Sequence, residues 1–253
     1  MVTSPAHGGL DEHQDEHQDD GERSRVEPES RSATALGPDA VRAVVGLVDR
    51  ALPFTTATCE ASPATVWWRD VLTHVRAGAD PLEPWRAALR TQMGQRHGVP
   101  APAHVPAAFV LQWVCEIAAT PIAYAASLGP WLLLPSPAGL GFELAPGLNP
   151  SRLVVDPEAT SLEVDDDAAR RLERGHAAYL ALVSEVVTAY APDVRMGSRQ
   201  RWGVVDDMWR TAVRLARGAA GETVGPEPTR VSCCFIYALP GMRECAACPR
   251  GGR

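Results

Sequence analysis

The chain has 253 residues, enough for one large domain or two small ones with a substantial core. Its hydrophobic fraction of 45% and charged fraction of 22% are those of an ordinary soluble protein. All 24 basic residues are arginine, and the lack of lysine excludes a phosphate-binding loop lysine and Schiff-base chemistry. The formal net charge of −7 lies mostly in residues 1–31, so no basic domain remains that would favour nucleic acid as a partner.

Residues 1–36 are predicted to form a disordered acidic tail. They contain the tandem DEHQDEHQDD and then a run of Ser, Arg and Glu with almost no apolar residues, and so cannot bury enough surface to fold. No charged segment followed by an apolar one marks a signal peptide, which favours a cytoplasmic protein. In that compartment cysteines stay reduced, and clustered cysteines are metal ligands more often than disulfides.

Residues 37–228 are predicted to form a mainly helical body. Apolar residues recur there at three- and four-residue steps, with Ser, Asp and Pro at the expected starts. The predicted helices begin near Asp39, Ser62, Asp80, Ala107, Asp166 or Asp167, and Ser198. The helix from Ala107 is expected to be kinked or interrupted at Pro121.

The most apolar stretch, residues 117–134, carries no charge but is broken by Pro121 and by Gly129–Pro130. Two buried elements separated by a turn fit it better than a membrane span, and peripheral membrane association stays compatible with the sequence. Short apolar runs then predict strands at residues 131–134, 141–144, 152–156 and 161–164, as in an antiparallel meander. We therefore predict an α+β fold, mainly helical, with a small antiparallel sheet and a short C-terminal cysteine-rich segment, residues 229–253.

That segment contains four of the six cysteines: Cys233, Cys234, Cys245 and Cys248. Soft thiolates this close together indicate a metal or iron–sulfur site. Cys245-Ala-Ala-Cys248 is a knuckle whose two sulfurs can reach one metal ion. Residues 231–239 are predicted to form a strand, and the side chains of adjacent cysteines on a strand point to opposite faces. The geometry therefore favours a binuclear cluster over a tetrahedral zinc ion without excluding zinc.

The run from Arg230 to Pro249, RVSCCFIYALPGMRECAACP, resembles the C-terminal signature of the FhuF-like ferric siderophore reductases. The shared features are the Cys-Cys-x10-Cys-x2-Cys spacing, the preceding Arg and Ser, the Tyr-x-Leu-Pro-Gly between the cysteine pairs and the final Cys-Pro. The resemblance implies that Cys233, Cys234, Cys245 and Cys248 bind a [2Fe–2S] cluster.

The resemblance also implies a function, the one-electron reduction of Fe³⁺ in a siderophore complex. Fe²⁺ has a lower charge density and binds hard oxygen donors less tightly, so the metal can leave the chelator. The nearest match to a dinucleotide fingerprint, residues 139–144, lacks the third glycine and a surrounding βαβ unit. An external electron donor, either a ferredoxin or a flavoprotein reductase, is therefore implied.

Two other functions fit the cysteine pattern. One is a structural zinc site on a binding protein, and the other is a [2Fe–2S] electron carrier or redox sensor that acts on a protein partner. The flanking charges favour a redox role, because Arg230, Arg243, Arg250 and Arg253 outnumber Glu244. Positive neighbours stabilise the more negative, reduced state of a cluster and raise its potential. Arg250 and Arg253 fit a solvated surface equally well.

Overall fold

The computed structural model describes residues 35–251, which contain six α-helices and seven short strands. The helices are α1 (Pro38–Ala51), α2 (Trp68–Arg76), α3 (Glu83–His97), α4 (His104–Leu128), α5 (Ala168–Ala189) and α6 (Ser198–Ala219). The strands are β1 (Ala35–Leu36), β2 (Thr56–Thr58), β3 (Val66–Trp67), β4 (Trp131–Pro135), β5 (Leu140–Leu144), β6 (Pro150–Val155) and β7 (Thr160–Val164). The predicted fold class, α+β and mainly helical, is confirmed.

Helix α4 is the centre of the core, packed against α1, α3, α5, α6 and β4. Pro121 lies inside it and does not interrupt it. The helix is long and apolar enough to cross a membrane by length and composition, but 83% of its most apolar window is buried inside the protein. That burial is typical of the core helix of a globular protein, in agreement with the predicted buried elements.

The strands form two small sheets rather than one meander. One has the order β1-β7-β4 with antiparallel pairs, and the other has the order β2-β6-β5-β3. Strand β2 runs parallel to β6, whereas β5 is antiparallel to both β6 and β3. The prediction of four strands after α4 is correct in position, and the pairs formed among them, β4–β7 and β5–β6, are antiparallel. The meander order is wrong because β4 pairs with β7 instead of β5, and β2 adds in parallel to the edge of β6.

Three starts of helices show how well local signals specify boundaries. Asp167 caps α5 as predicted, since its Oδ1 accepts hydrogen bonds from the backbone N–H groups of Ala169 and Arg170, at 2.9 and 3.1 Å. Ser198 begins α6 as predicted. The helix expected from Ser62 instead begins at Trp68, because Val66–Trp67 pairs with β5.

The predicted tail, residues 1–36, lies outside the described residues except for Ala35–Leu36. These two residues are part of β1, which pairs with Leu162 and Glu163 of β7. The rest of the predicted tail, residues 1–34, stays a prediction.

Asp165 joins β7 to α5 and supports a testable dependence of stability on pH. Its nearly buried carboxylate accepts two hydrogen bonds of 2.6 Å from Arg170 and one from the Asp167 N–H. The Arg170 hydrogen bonds, against the opposing effect of burial, lower the pKa of Asp165 to about 2. Because this pKa lies below the value of about 3.9 in an unfolded chain, the charged carboxylate stabilises the fold above pH 4 and loses that effect as the pH falls towards 2.

We expect Asp165→Asn to lower the thermal midpoint at pH 7 and to differ little from the wild type near pH 2. Thermal unfolding followed by circular dichroism at several pH values measures this. The matched control is Asp166→Asn, because the Asp166 side chain is exposed. A difference between Asp165→Asn and the wild type that persists undiminished at pH 2 would contradict the expectation.

Candidate functional site

The four clustered cysteines lie on an irregular segment after α6 that is held by side chains of the helical body. Residues 231–239 do not form the predicted strand: a bend precedes the cysteine pair and a single 3₁₀ turn, Ile236–Ala238, follows it. The strand does not form because the backbone of this segment has its hydrogen-bond partners elsewhere. Backbone groups of this segment are paired with side chains of α6 rather than with a neighbouring strand.

One stripe of α6 makes these contacts through Gln200, Gly203 and Asp207. The Gln200 side chain accepts from the Cys233 N–H at 3.2 Å and donates to the Cys233 carbonyl at 2.7 Å. Asp207, 2% exposed, accepts from the N–H of Val231 at 3.0 Å and from the N–H and hydroxyl of Ser232 at 2.7 and 2.6 Å. A Cβ on Gly203 would lie 3.1 Å from Cγ1 of Val231, so the close approach of the segment favours glycine there.

The far side of the segment packs on α3 and α4. Leu239 is buried with Ala101 and Val105, and the Phe235 ring meets His104 edge-on at 4.9 Å. Phe235 itself has φ 58, a left-handed conformation that bulky residues rarely adopt. Such a residue costs about 1–3 kcal/mol and persists only where its surroundings fix it. The left-handed backbone conformation directly after Cys234 is therefore held by packing on both sides.

The structure brings Cys234 and Cys245 together, with 3.8 Å between their sulfurs. The Cys233 sulfur accepts the Phe235 N–H at 3.4 Å, and Cys233, Cys234 and Cys248 are each less than a tenth exposed. Burial raises the pKa of the Cys233 thiol and, together with the nearby Cys234, raises that of Cys245 to about 11. Because metals bind thiolates, metal loading at this site would release protons.

The donor set fits a [2Fe–2S] group. Two thiolates on one tetrahedral metal, with bonds of about 2.3 Å, lie about 3.8 Å apart, which is the separation of Cys234 and Cys245. The four clustered cysteines supply the soft thiolate donors that an iron–sulfur group requires.

A cavity of about 440 Å³ adjoins the cysteines, and Cys234 and Cys245 form part of its wall. Apolar side chains from α4 and α6, including Trp113, Ile117 and Met208, line most of the remainder. Phe54, 93% exposed, lies at the cavity between α1 and β2. The volume is within the range of small-molecule sites. Cys233 and Cys248 are not among the lining residues, so one side of the cysteine cluster faces the cavity.

A polar stripe on α4 also lines this cavity. Gln112, Glu116, Thr120 and Tyr124 follow one another at four-residue steps and therefore share one face of the otherwise apolar helix. Glu116 is exposed to the cavity, whose walls partly desolvate the carboxyl and raise its pKa, while the charge of Arg230 acts in the opposite direction. Gln112 is 7% exposed, and in the described part of the chain neither its Nε2 nor the Nε of Arg230 has a hydrogen-bond partner.

The arginines around the cysteines differ in their contacts. Arg230 donates to Gln112 at 3.4 Å and to Glu227 at 3.3 Å, and it lines the cavity beside Cys245. Arg250 stacks over the Tyr237 ring, with its guanidinium carbon 4.7 Å from the centroid. Arg243 is exposed. Arg230 is thus the arginine built into the site, Arg250 is anchored beside it, and Arg253 lies outside the described residues.

Sequence reasoning missed the residues of the body that hold the cysteine segment and line the cavity. Two signals in the sequence could have found them. Gln200, Gly203 and Asp207 are spaced by three and four residues on α6, and Gln112, Glu116 and Thr120 are spaced by four on the most apolar helix. Polar residues that recur on one face of a buried helix are costly unless they meet a polar partner or a cavity.

Comparison with known families agrees with this geometry. Residues 230–250 match the FhuF 2Fe-2S C-terminal domain, and all four clustered cysteines fall in the matched range. The predicted resemblance to the FhuF-like family and the predicted [2Fe–2S] cofactor are thereby confirmed for this segment. A search of the curated proteins gave no match to the chain.

Proposed function

We propose that the protein is a ferric siderophore reductase that transfers one electron to the Fe³⁺ of a siderophore complex in the cytoplasm. The observation that carries the proposal is the FhuF-type 2Fe–2S segment, two of whose cysteines line a ligand-sized cavity. When bound, a [2Fe–2S] cluster supplies one electron, the number that converts Fe³⁺ into Fe²⁺. Fe²⁺ then leaves the oxygen donors of the chelator.

Cys233, Cys234, Cys245 and Cys248 would hold the cluster, and the chain provides its surroundings. Gln200 and Asp207 fix the backbone before and at the cysteine pair. Buried side chains around the thiols exclude water, and the cavity gives access to the Cys234 and Cys245 side. The electron is supplied from outside by a ferredoxin or a flavoprotein reductase, and no nucleic acid is involved.

The test is reoxidation of the chemically reduced protein by ferric complexes in the absence of oxygen. We expect one equivalent of Fe²⁺, trapped by a ferrous chelator, for each cluster that returns to its oxidised absorption spectrum. Gallium(III) complexes, which accept no electron, are the control. Failure to react with ferric hydroxamate, catecholate and carboxylate siderophores would assign the segment to an electron carrier or redox sensor.

Metal analysis of the purified protein separates the proposal from a zinc site. A [2Fe–2S] protein contains two iron and two acid-labile sulfide ions per cluster, and its red-brown colour bleaches on reduction. One zinc ion per chain, with no iron and no sulfide, would overturn the proposal.

A further inference from the structure

We propose that the cavity beside Cys234 and Cys245 is the docking site for the oxygen-rich ligand shell of the ferric complex, and that Gln112 is one of its hydrogen-bond donors. This inference rests on the proposed function, and it adds the place and residues of docking, which the match over residues 230–250 does not cover. Its structural basis is three independent features of the same cavity: its position, its unpaired donors and its mixed walls.

Position is the first feature. A transferred electron must pass from the cluster to the ferric ion, so docking is productive only where the ligand shell reaches the cluster. Of the four clustered cysteines, Cys234 and Cys245 line the cavity. Cys233 faces the Phe235 N–H. A complex bound in the cavity therefore lies next to Cys234 and Cys245, the two clustered cysteines that line it.

Unpaired donors are the second feature. Gln112 is more than nine-tenths buried, its Oε1 accepts from Arg230 at 3.4 Å, and its Nε2 has no partner among the residues that the structure describes. A buried donor without an acceptor costs about 1–3 kcal/mol, and native proteins retain few of them. The Nε of Arg230, a residue of the same wall, likewise has no partner within residues 35–251. Both groups require an acceptor oxygen or sulfur, and a ligand shell of oxygen donors provides one.

Mixed walls are the third feature. Phe109, Trp113 and Ile117 provide apolar and aromatic surface, while Thr120 and Glu116 add polar groups on the adjoining face of α4. Small-molecule sites typically combine predominantly apolar walls with a few convergent polar groups. At about 440 Å³ the cavity takes one face or arm of a large chelate. The exposed Phe54 extends the contact surface beyond it.

The same donors could instead serve the sulfur atoms of the cluster, and the two roles give different results. We would measure the dissociation constants of gallium(III) hydroxamate, catecholate and carboxylate siderophores by calorimetry on the cluster-loaded protein. Gallium(III) resembles Fe³⁺ in charge and size but is not reduced, so binding is measured without electron transfer. The midpoint potential and visible spectrum of each variant are measured in parallel.

We expect the wild type to bind at least one gallium complex, and Gln112→Leu to weaken that binding roughly five- to tenfold, the effect of one lost hydrogen bond. Its potential and spectrum should stay unchanged. Gln95→Leu, the same substitution at an exposed position of α3, should bind like the wild type. Thr211→Trp, which fills the cavity from α6, should bind least and serves as a second variant that leaves Gln112 in place.

An altered potential in Gln112→Leu with unchanged gallium binding would assign this side chain to the cluster and overturn the proposal. So would wild-type affinity in both cavity variants, or a wild type that binds none of the three complexes. The proposed function is decided separately by Fe²⁺ release. Iron reduction at a wild-type rate in Thr211→Trp would refute docking in this cavity but not the proposed reductase activity. Gallium binding without iron reduction would refute the reductase activity but not docking.

Discussion

Serine in place of Cys233, Cys234, Cys245 or Cys248 is expected to remove the cluster or change its spectrum, whereas Cys59→Ser should leave the spectrum intact. A serine hydroxyl is a harder and far less acidic ligand than a thiol and binds iron in a sulfide cluster poorly. Loss of residues that merely support metal ligands costs roughly 10- to 100-fold in affinity. Loss of a ligand itself should exceed this and leave little iron bound.

The structure makes Cys234 and Cys245 the most informative pair in this series. Their sulfurs lie 3.8 Å apart and both line the cavity, so a serine at either position would change the same side of the bound cluster. We therefore expect Cys234→Ser and Cys245→Ser to resemble each other in any residual spectrum more than either resembles Cys233→Ser. Iron, sulfide and visible absorption are the measurements. An unchanged spectrum in Cys233→Ser would show that the ligand assignment is wrong.

Cys59 is the suitable control because its half-buried thiol lies in the body, after β2. Cys115 is fully buried in α4, and burial raises the pKa of its thiol to about 12. It is a core residue, as its position in an apolar helix predicts. Cys115→Ser is not a suitable control. It would place a hydroxyl in the core, and the resulting loss of stability would be indistinguishable from a loss of cluster ligation.

The helices were the predictable part of the fold, because they depend on signals within one segment. The apolar stripe of α5 and its cap at Asp167 lie within 23 residues of one another, and both are confirmed. Strands β2 and β3 were missed because each has only two or three residues and depends on partners more than 70 residues away. No local pattern specifies such a pairing.

The cysteine segment shows the opposite case, in which local pattern misled. Val231, Phe235, Ile236 and Tyr237 have high β-propensity and predicted a strand. The acceptors offered by Asp207 and Gln200 on α6 outweigh that propensity, since they satisfy the backbone where no strand is adjacent. The resemblance of the cysteine motif to the FhuF-like signature implied the cofactor without this information. Ligation by the four cysteines stays a prediction.

The cavity could not be predicted, because five separated parts of the chain build it. Residues 52–55, α4, the loop into β6, α6 and the cysteine segment each provide part of the wall. The stripe of Gln112, Glu116 and Thr120 was visible in the sequence, but an apolar helix with polar residues at four-residue steps has several explanations. Only the packing of α6 and the cysteine segment against α4 shows that this stripe lines a cavity.

Asp207→Ala is expected to detach the cysteine segment from α6 and to prevent stable cluster binding, with most of the helical structure retained. The substitution leaves three donors of Val231 and Ser232 without their acceptor and also breaks the ion pair with Arg210. Leaving a buried donor without its acceptor costs about 1–3 kcal/mol, whereas the loss for Arg210 is small because that side chain is largely exposed. The cost is expected to fall mainly on the cysteine segment, since segments of a protein can open independently of the global core. Iron and sulfide content after reconstitution, together with far-ultraviolet circular dichroism, measures the two effects separately.

Two variants make this result specific to Asp207. Asp206→Ala removes the adjacent, exposed carboxylate and should bind the cluster like the wild type. Asp207→Asn should be intermediate, because its one carbonyl oxygen can still accept from Ser232 while its amide group opposes the N–H of Val231. Full cluster content in Asp207→Ala would show that the thiols are held without α6. Loss of helical signal in parallel with the cluster would instead make Asp207 a residue of global stability. The expected order of cluster content is therefore Asp206→Ala first, Asp207→Asn next and Asp207→Ala last, because it follows the number of hydrogen bonds that each variant leaves to residues 231–232.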